Sequence, residues 1–152
     1  MIITVDSNVL LSVFAKDSLY KQSVTLLEKY SSHEFIINDC IYLELCVHFQ
    51  DIKILSTALQ TLEISLVEEH QRNYPDVVNA WKRYLTKRRF SCPSCGKTIM
   101  LKCPHCTHRV TFRQRVLTDF LIAGFALSNS NGIITFDPTY YRNYFPQLKI
   151  LK

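Results

Sequence analysis

The chain has 152 residues, 47 % hydrophobic and 20 % charged, with a formal net charge of +5. That length suits one ordinary domain rather than two, and the composition excludes a disordered or fibrous chain. No apolar run is long enough to span a bilayer, and the opening Met-Ile-Ile-Thr-Val-Asp has neither a basic leader nor a cleavage motif, so the sequence predicts a cytoplasmic protein with reduced thiols and no membrane partner.

In chain order, Ile2-Ile3-Thr4-Val5 is a short β-branched run ending at Asp6, which suits a buried parallel strand. Asp17 and Ser18 can cap a helix whose apolar positions Tyr20, Val24, Leu27 and Tyr30 follow the helical period. Phe35-Ile36-Ile37 reads as a second strand. Asn38-Asp39 then turns the chain into a helix from Cys40 to Phe49, and Ile52, Leu55 and Leu59 mark a shorter one. Leu62, Ile64 and Leu66 alternate with Glu63 and Ser65, a third strand with one wetter face. Asn73 and Pro75 open a helix with Val77, Trp81, Tyr84 and Arg88 along one stripe. After a cysteine-rich segment, Thr118 caps Asp119–Leu127, apolar on nearly every side and so a central buried helix. Asn131-Gly132 turns into the strand Ile133–Phe136, Asp137-Pro138 begins a short helix, and a last strand covers Leu148–Leu151. Strands alternating with helices imply right-handed crossovers and a parallel sheet covered on both faces: an α/β protein, one domain over residues 1–152.

The cysteine-rich segment, residues 90–112, reads as an insertion in that domain. Cys92-x2-Cys95 and Cys103-x2-Cys106 each present two thiolates on one turn, and together they match the tetrahedral four-sulfur site of structural Zn²⁺. His105 and His108 are the possible substitutes, and a redox dithiol or a disulfide is the competing use of such pairs. Four thiolates would leave no open coordination position, so this metal would be structural. Gly96 permits a left-handed turn at the first pair, and Thr107 offers no such help at the second. Cys40 and Cys46 share no helix face and belong to the core.

The charge is unevenly spread. Ala80–Arg115 carries ten of the eighteen Lys and Arg and none of the thirteen acids, so the rest of the chain is net acidic. A basic stretch with Trp81, Tyr84, Phe90 and Phe112 interleaved points to a polyanion such as RNA rather than to a merely solvated face. Arg88, Arg89, Lys97, Lys102, Arg109, Arg113 and Arg115 are the candidate contacts.

Opposite in sign are four acids. Asp6 and Asp137 each follow a predicted strand, so both belong at the carboxyl edge of the sheet, where ligands of open α/β folds bind. Asp119 opens the apolar helix near that edge. Glu44 shares a helix face with Cys40, Ile41, Val47 and His48, mostly apolar company for a carboxylate. Each alone has an ordinary explanation as a cap, an Asx turn or a surface group. Gathered at one edge they would repel unless a hard divalent cation, Mg²⁺ or Mn²⁺, lay between them.

Ile3-Thr-Val-Asp-Ser-Asn-Val-Leu10, Glu44 within Ile41–Leu45, Thr118–Leu127, and Ile134-Thr-Phe-Asp-Pro-Thr-Tyr-Tyr141 together resemble the PIN domain; the tail Phe145–Ile150 looks like the PIN nucleases of the VapC toxin type. The likeness covers Met1–Asp76 and Arg113–Lys152. It implies a three-layer α/β/α sandwich and a metal-dependent ribonuclease, with Asp6, Glu44, Asp119 and Asp137 as Mg²⁺ or Mn²⁺ ligands and Ser7 and Asn8 supporting them. It further implies a toxin held by an antitoxin protein, and a homodimer. Ordinary PIN domains of this size lack the four-cysteine insertion, which leaves open whether that segment meets RNA or protein. Two other functions compete: a catalytically inactive RNA-binding or assembly factor, and a zinc-ribbon interaction module on an inert scaffold.

Overall fold

The computed structural model describes residues 1–68, 74–87, 92, 94–110 and 116–152. In chain order its elements are β1 (Ile2–Val5), α1 (Ser7–Ala15), α2 (Tyr20–Lys29), β2 (Glu34–Ile37), α3 (Asp39–Cys46), α4 (Ile52–Thr61), β3 (Ile64–Leu66), α5 (Tyr74–Lys87), β4 (Leu101–Lys102), β5 (Arg109–Val110), α6 (Leu117–Asn129), β6 (Ile133–Ile134), α7 (Pro138–Tyr144) and β7 (Ile150–Leu151). Five strands form one parallel sheet in the order β3-β2-β1-β6-β7. The α/β expectation holds, with a central parallel sheet. β4 and β5 pair antiparallel as a separate small hairpin within the insertion.

The chain runs outward from β1 through β2 to β3, then returns to the opposite side of β1 for β6 and β7. Strand order therefore reverses between β1 and β6, and the crevice past their carboxyl ends is the natural site of such a fold. The seam is close: Thr4 N–H donates to Gly132 C=O at 3.0 Å and Asp6 N–H to Ile134 C=O at 3.0 Å. On the far side of β6, a Cβ at Gly132 would lie 2.8 Å from the Lys149 carbonyl oxygen, so only glycine lets β7 close on this turn.

The core is set by the apolar runs of β1, β2 and β6 and by α6, whose Phe120, Ile122, Ala123, Phe125 and Ala126 are all buried. Phe120 is its hub: its ring lies 4.9 Å from Trp81, 5.7 Å from Tyr84, 5.4 Å from Tyr140 and 5.6 Å from Tyr144, mostly edge-on or tilted. The rings of α5 and α7 thus pack on one residue of α6, in the edge-to-face arrangements that the ring quadrupole favours.

Several boundaries differ from expectation for physical reasons. Helix α1 was not signalled by the sequence, because Val9-Leu10-Leu11 and Val13-Phe14 prolong the strand-like apolar run; the chain instead turns at Asp6 and ends the helix at left-handed Lys16 (φ 50°). β6 stops at Ile134 because Phe136 N–H is taken by the Asn8 side chain instead of a neighbouring strand. The N-cap of α6 is Val116, not Thr118, and the helix following Cys40 ends at Cys46. Asn73 and Arg88 lie outside the described residues. Among the described residues no helix is long and apolar enough to cross a membrane.

Candidate active site

Asp6 ends β1 and starts α1, and its side chain points into the β1–β6 crevice, only 6 % exposed. Three groups donate to its Oδ2: Thr135 Oγ1 at 2.6 Å, Asn8 Nδ2 at 2.9 Å and Tyr141 OH at 3.1 Å. Ser7 Oγ lies 3.4 Å from Oδ1 and donates at 2.5 Å to Oε2 of Glu44 on α3. One serine hydroxyl therefore bridges two carboxylates brought from elements far apart in sequence.

Burial pushes the Asp6 carboxyl up to about 6 from an ordinary 3.8, and the neighbouring charge of Glu44 adds to the push; the Thr135 and Tyr141 hydroxyls pull the other way without overcoming it. Burial, followed by the charge of Asp6, raises the Tyr141 phenol well above its usual range, and Asp119 contributes as well. Tyr141 thus remains a proton-bearing donor to Asp6 at any physiological pH.

The other two acids stand around this pair. Asp119, in the first turn of α6, accepts from Val116 N–H at 3.2 Å and lies near enough to Tyr141 to act on it electrostatically. Because valine has no acceptor, this is only half of a reciprocal capping box. Asp137 caps α7 by accepting from Tyr140 N–H at 3.3 Å, and its own N–H donates to Thr135 Oγ1 at 3.0 Å. Asp6 and Glu44 are directly joined through Ser7; Asp119 is linked to Asp6 through Tyr141, and Asp137 through Thr135. Among the described residues no three His, Cys, Asp or Glu side chains form a metal-holding group. The pair at the centre nevertheless suits a hard cation in its chemistry: two carboxylates share one serine hydroxyl, and burial, with the charge of Glu44, makes the inner one resist ionisation. The apolar company expected for Glu44 is partly absent, since Val47 is 82 % exposed.

Ser7 joins the two carboxylates, and Asn8, at the start of α1, accepts from Phe136 N–H at 3.1 Å and so ties that turn to the end of β6. Thr135 and Tyr141 were not foreseen. The signal for Thr135 was a hydroxyl in a buried apolar strand end, which must find a partner.

In the insertion, Lys97, Lys102 and Arg109 are exposed, and the hairpin register sets Lys102 directly opposite Arg109. Like charges so placed repel unless an anion lies against them. Arg88, Arg89, Arg113 and Arg115 lie outside the described residues, as do residues 90, 91, 93, 111 and 112 of the predicted ribbon. None of the six cysteines is joined in a disulfide.

No protein-family profile matches the sequence, and no curated protein sequence matches it. Solved structures do match in three dimensions. VapBC-1 from nontypeable Haemophilus influenzae aligns with TM-score 0.60 at 16 % identity, over 100 % of this chain and 98 % of that one. VapBC2 from Rickettsia felis, bound to a DNA fragment from its promoter, aligns with TM-score 0.57 at 13 % identity, over 99 % and 98 % of the two chains. The likeness runs the length of both partners and shows a shared fold.

Proposed function

We propose, from a chain with the VapC-like PIN fold and a buried carboxylate pair at its sheet reversal, that the protein is a divalent-metal-dependent ribonuclease, a toxin-like cytoplasmic enzyme. The observation that carries this reading is Asp6: a carboxylate buried at the switch point, bridged by Ser7 to Glu44 and ionising only against resistance. A protein does not hold such a group merely for stability, because burying a charge costs several kcal/mol, on the order of what a whole domain can spare.

Asp6 and Glu44 would hold the ion, with Asp119 and Asp137 completing its surroundings. Bound Mg²⁺ or Mn²⁺ supplies Lewis acidity at the scissile phosphate and lowers the pKa of water. Thr135, Tyr141 and Asn8 fix the Asp6 oxygen that faces away from Glu44, Ser7 holds the two carboxylates at one separation, and the α1 start keeps both against the sheet edge. Lys97, Lys102 and Arg109, with Arg88, Arg89, Arg113 and Arg115, supply positive charge for the phosphate backbone. The VapBC likeness supports a small antitoxin protein as a further partner, and a second copy of the chain as another.

RNA incubated with purified protein and Mn²⁺ should be cleaved, EDTA should stop cleavage, and Asp6→Asn should lower the rate at least about 100-fold. A variant that cuts as fast as the parent chain places the site elsewhere. One observation favours a second reading: the four acids do not form a single metal-holding group. An inactive RNA-binding or assembly factor would bind RNA and leave it intact with either metal.

A further inference from the structure

The two cysteine pairs of the insertion repeat one backbone conformation. Cys92 C=O accepts from Gly96 N–H at 2.8 Å, and Cys92 N–H donates to Lys97 C=O at 2.9 Å. In the second turn Cys103 C=O accepts from Thr107 N–H at 2.9 Å, and Cys103 N–H donates to His108 C=O at 2.8 Å. The N–H groups of Ser94 and Cys95 act on the Cys92 thiol, and those of His105 and Cys106 act on the Cys103 thiol in the same way. Each turn therefore points donors at its first sulfur, as a thiolate requires.

The match extends to the strained position. The fourth residue beyond the first cysteine is left-handed in both turns, Gly96 at φ 70° and Thr107 at φ 57°. Glycine adopts this conformation freely, whereas a β-branched threonine there is an outlier. Threonine gives this turn no help, yet the turn takes the left-handed form all the same, and the cost is borne at the one place where copying the first turn demands it. Such an outlier points to function rather than to chance.

We propose that Cys92, Cys95, Cys103 and Cys106 hold one Zn²⁺ in an all-sulfur tetrahedral site, each Cys-x-x-Cys turn being a preformed half of it. Soft thiolates select zinc, whereas the hard carboxylates of Asp6 and Glu44 select magnesium or manganese, so the chain sorts two metals by donor type. No three of these side chains stand as one group in the described residues; the ion brings together two turns linked by the stretch from Lys97 to Lys102. Zinc binding would dock the first turn against the β4–β5 hairpin, whose loop is the second turn. A centre of four thiolates and one zinc ion is anionic, and exposed Lys97 beside the first turn and Lys102 and Arg109 on the hairpin offset that charge.

The test reads metal content and is independent of nuclease activity. Intact protein purified without chelator should contain one zinc per chain by mass spectrometry of the metals, and cobalt replacement should give the intense visible spectrum of tetrahedral thiolate coordination. Cys95→Ser and Cys106→Ser should each lose the zinc, while Asp6→Asn and Cys40→Ser keep it. Thr107→Gly should keep the zinc and bind it more tightly. Should a cysteine variant fail to fold, cobalt titration of the unaltered chain still decides the matter. The proposal is overturned by protein free of zinc with six titratable thiols, by disulfides within the pairs, or by cobalt bound without the thiolate bands.

Discussion

At Asp6, chemistry and stability pull in opposite directions. A carboxyl whose pKa moves from 3.8 to about 6 on folding costs about 3 kcal/mol when ionised. The sign is that of a raised acid: the folded state binds the proton more tightly, so the penalty is absent below pH 4, grows between the two values and is complete above the folded one. Metal-free protein should therefore lose stability from this group as pH rises from 4 to 7. Asp6→Asn should flatten that slope and stabilise the chain at pH 8 by up to about 3 kcal/mol, as read by urea denaturation across pH. Added Mn²⁺ should stabilise the parent chain and not the variant. Asp6 and Asp137 were legible in the sequence because each follows an apolar run that ends abruptly. Thr135 and Tyr141 were not, because they reach Asp6 across 129 and 135 residues, and no local pattern encodes such a meeting.

Among the elements, α6 does most to hold the fold in register. Its hub, Phe120, is fully buried and touches rings from α5 and α7. Phe120→Ala should cost about 3–5 kcal/mol by combined transfer and cavity terms, measured by thermal or chemical denaturation. Phe120 stands one residue from Asp119, so the same change should also weaken metal binding. Strand positions were readable from β-branched runs, and α6 from its unbroken apolar content. Helix α1 was not, since five apolar residues among Val9–Phe14 leave no polar face to betray a helical period; only the turn at Asp6, fixed by the sheet, decides it. The conformation of Thr107 was unreadable for a related reason: its left-handed backbone is imposed by the turn around it and not by its own preference.

Over the whole molecule, the alternation of strands and helices made the layered parallel sheet legible, whereas the strand order and its reversal beside β1 were not, because no local pattern encodes which strands become neighbours. The composition also showed two charge territories. The polyanion reading of the basic one is testable through salt: neutralising Lys97, Lys102 and Arg109 together should reduce the log–log salt slope of single-stranded RNA affinity by roughly 2. An unchanged slope assigns the hairpin to a protein contact or to charge compensation at its own metal.

The seam between β1 and β6 joins strands that lie far apart in the order of synthesis. Asp6 and Glu44 emerge early, yet the hydroxyls that steady Asp6 belong to Thr135 and Tyr141. A nascent polypeptide therefore carries Asp6 and Glu44 through the making of α4, α5 and α6 without the groups that orient Asp6. The proposed active site is complete only after residue 141 has been made.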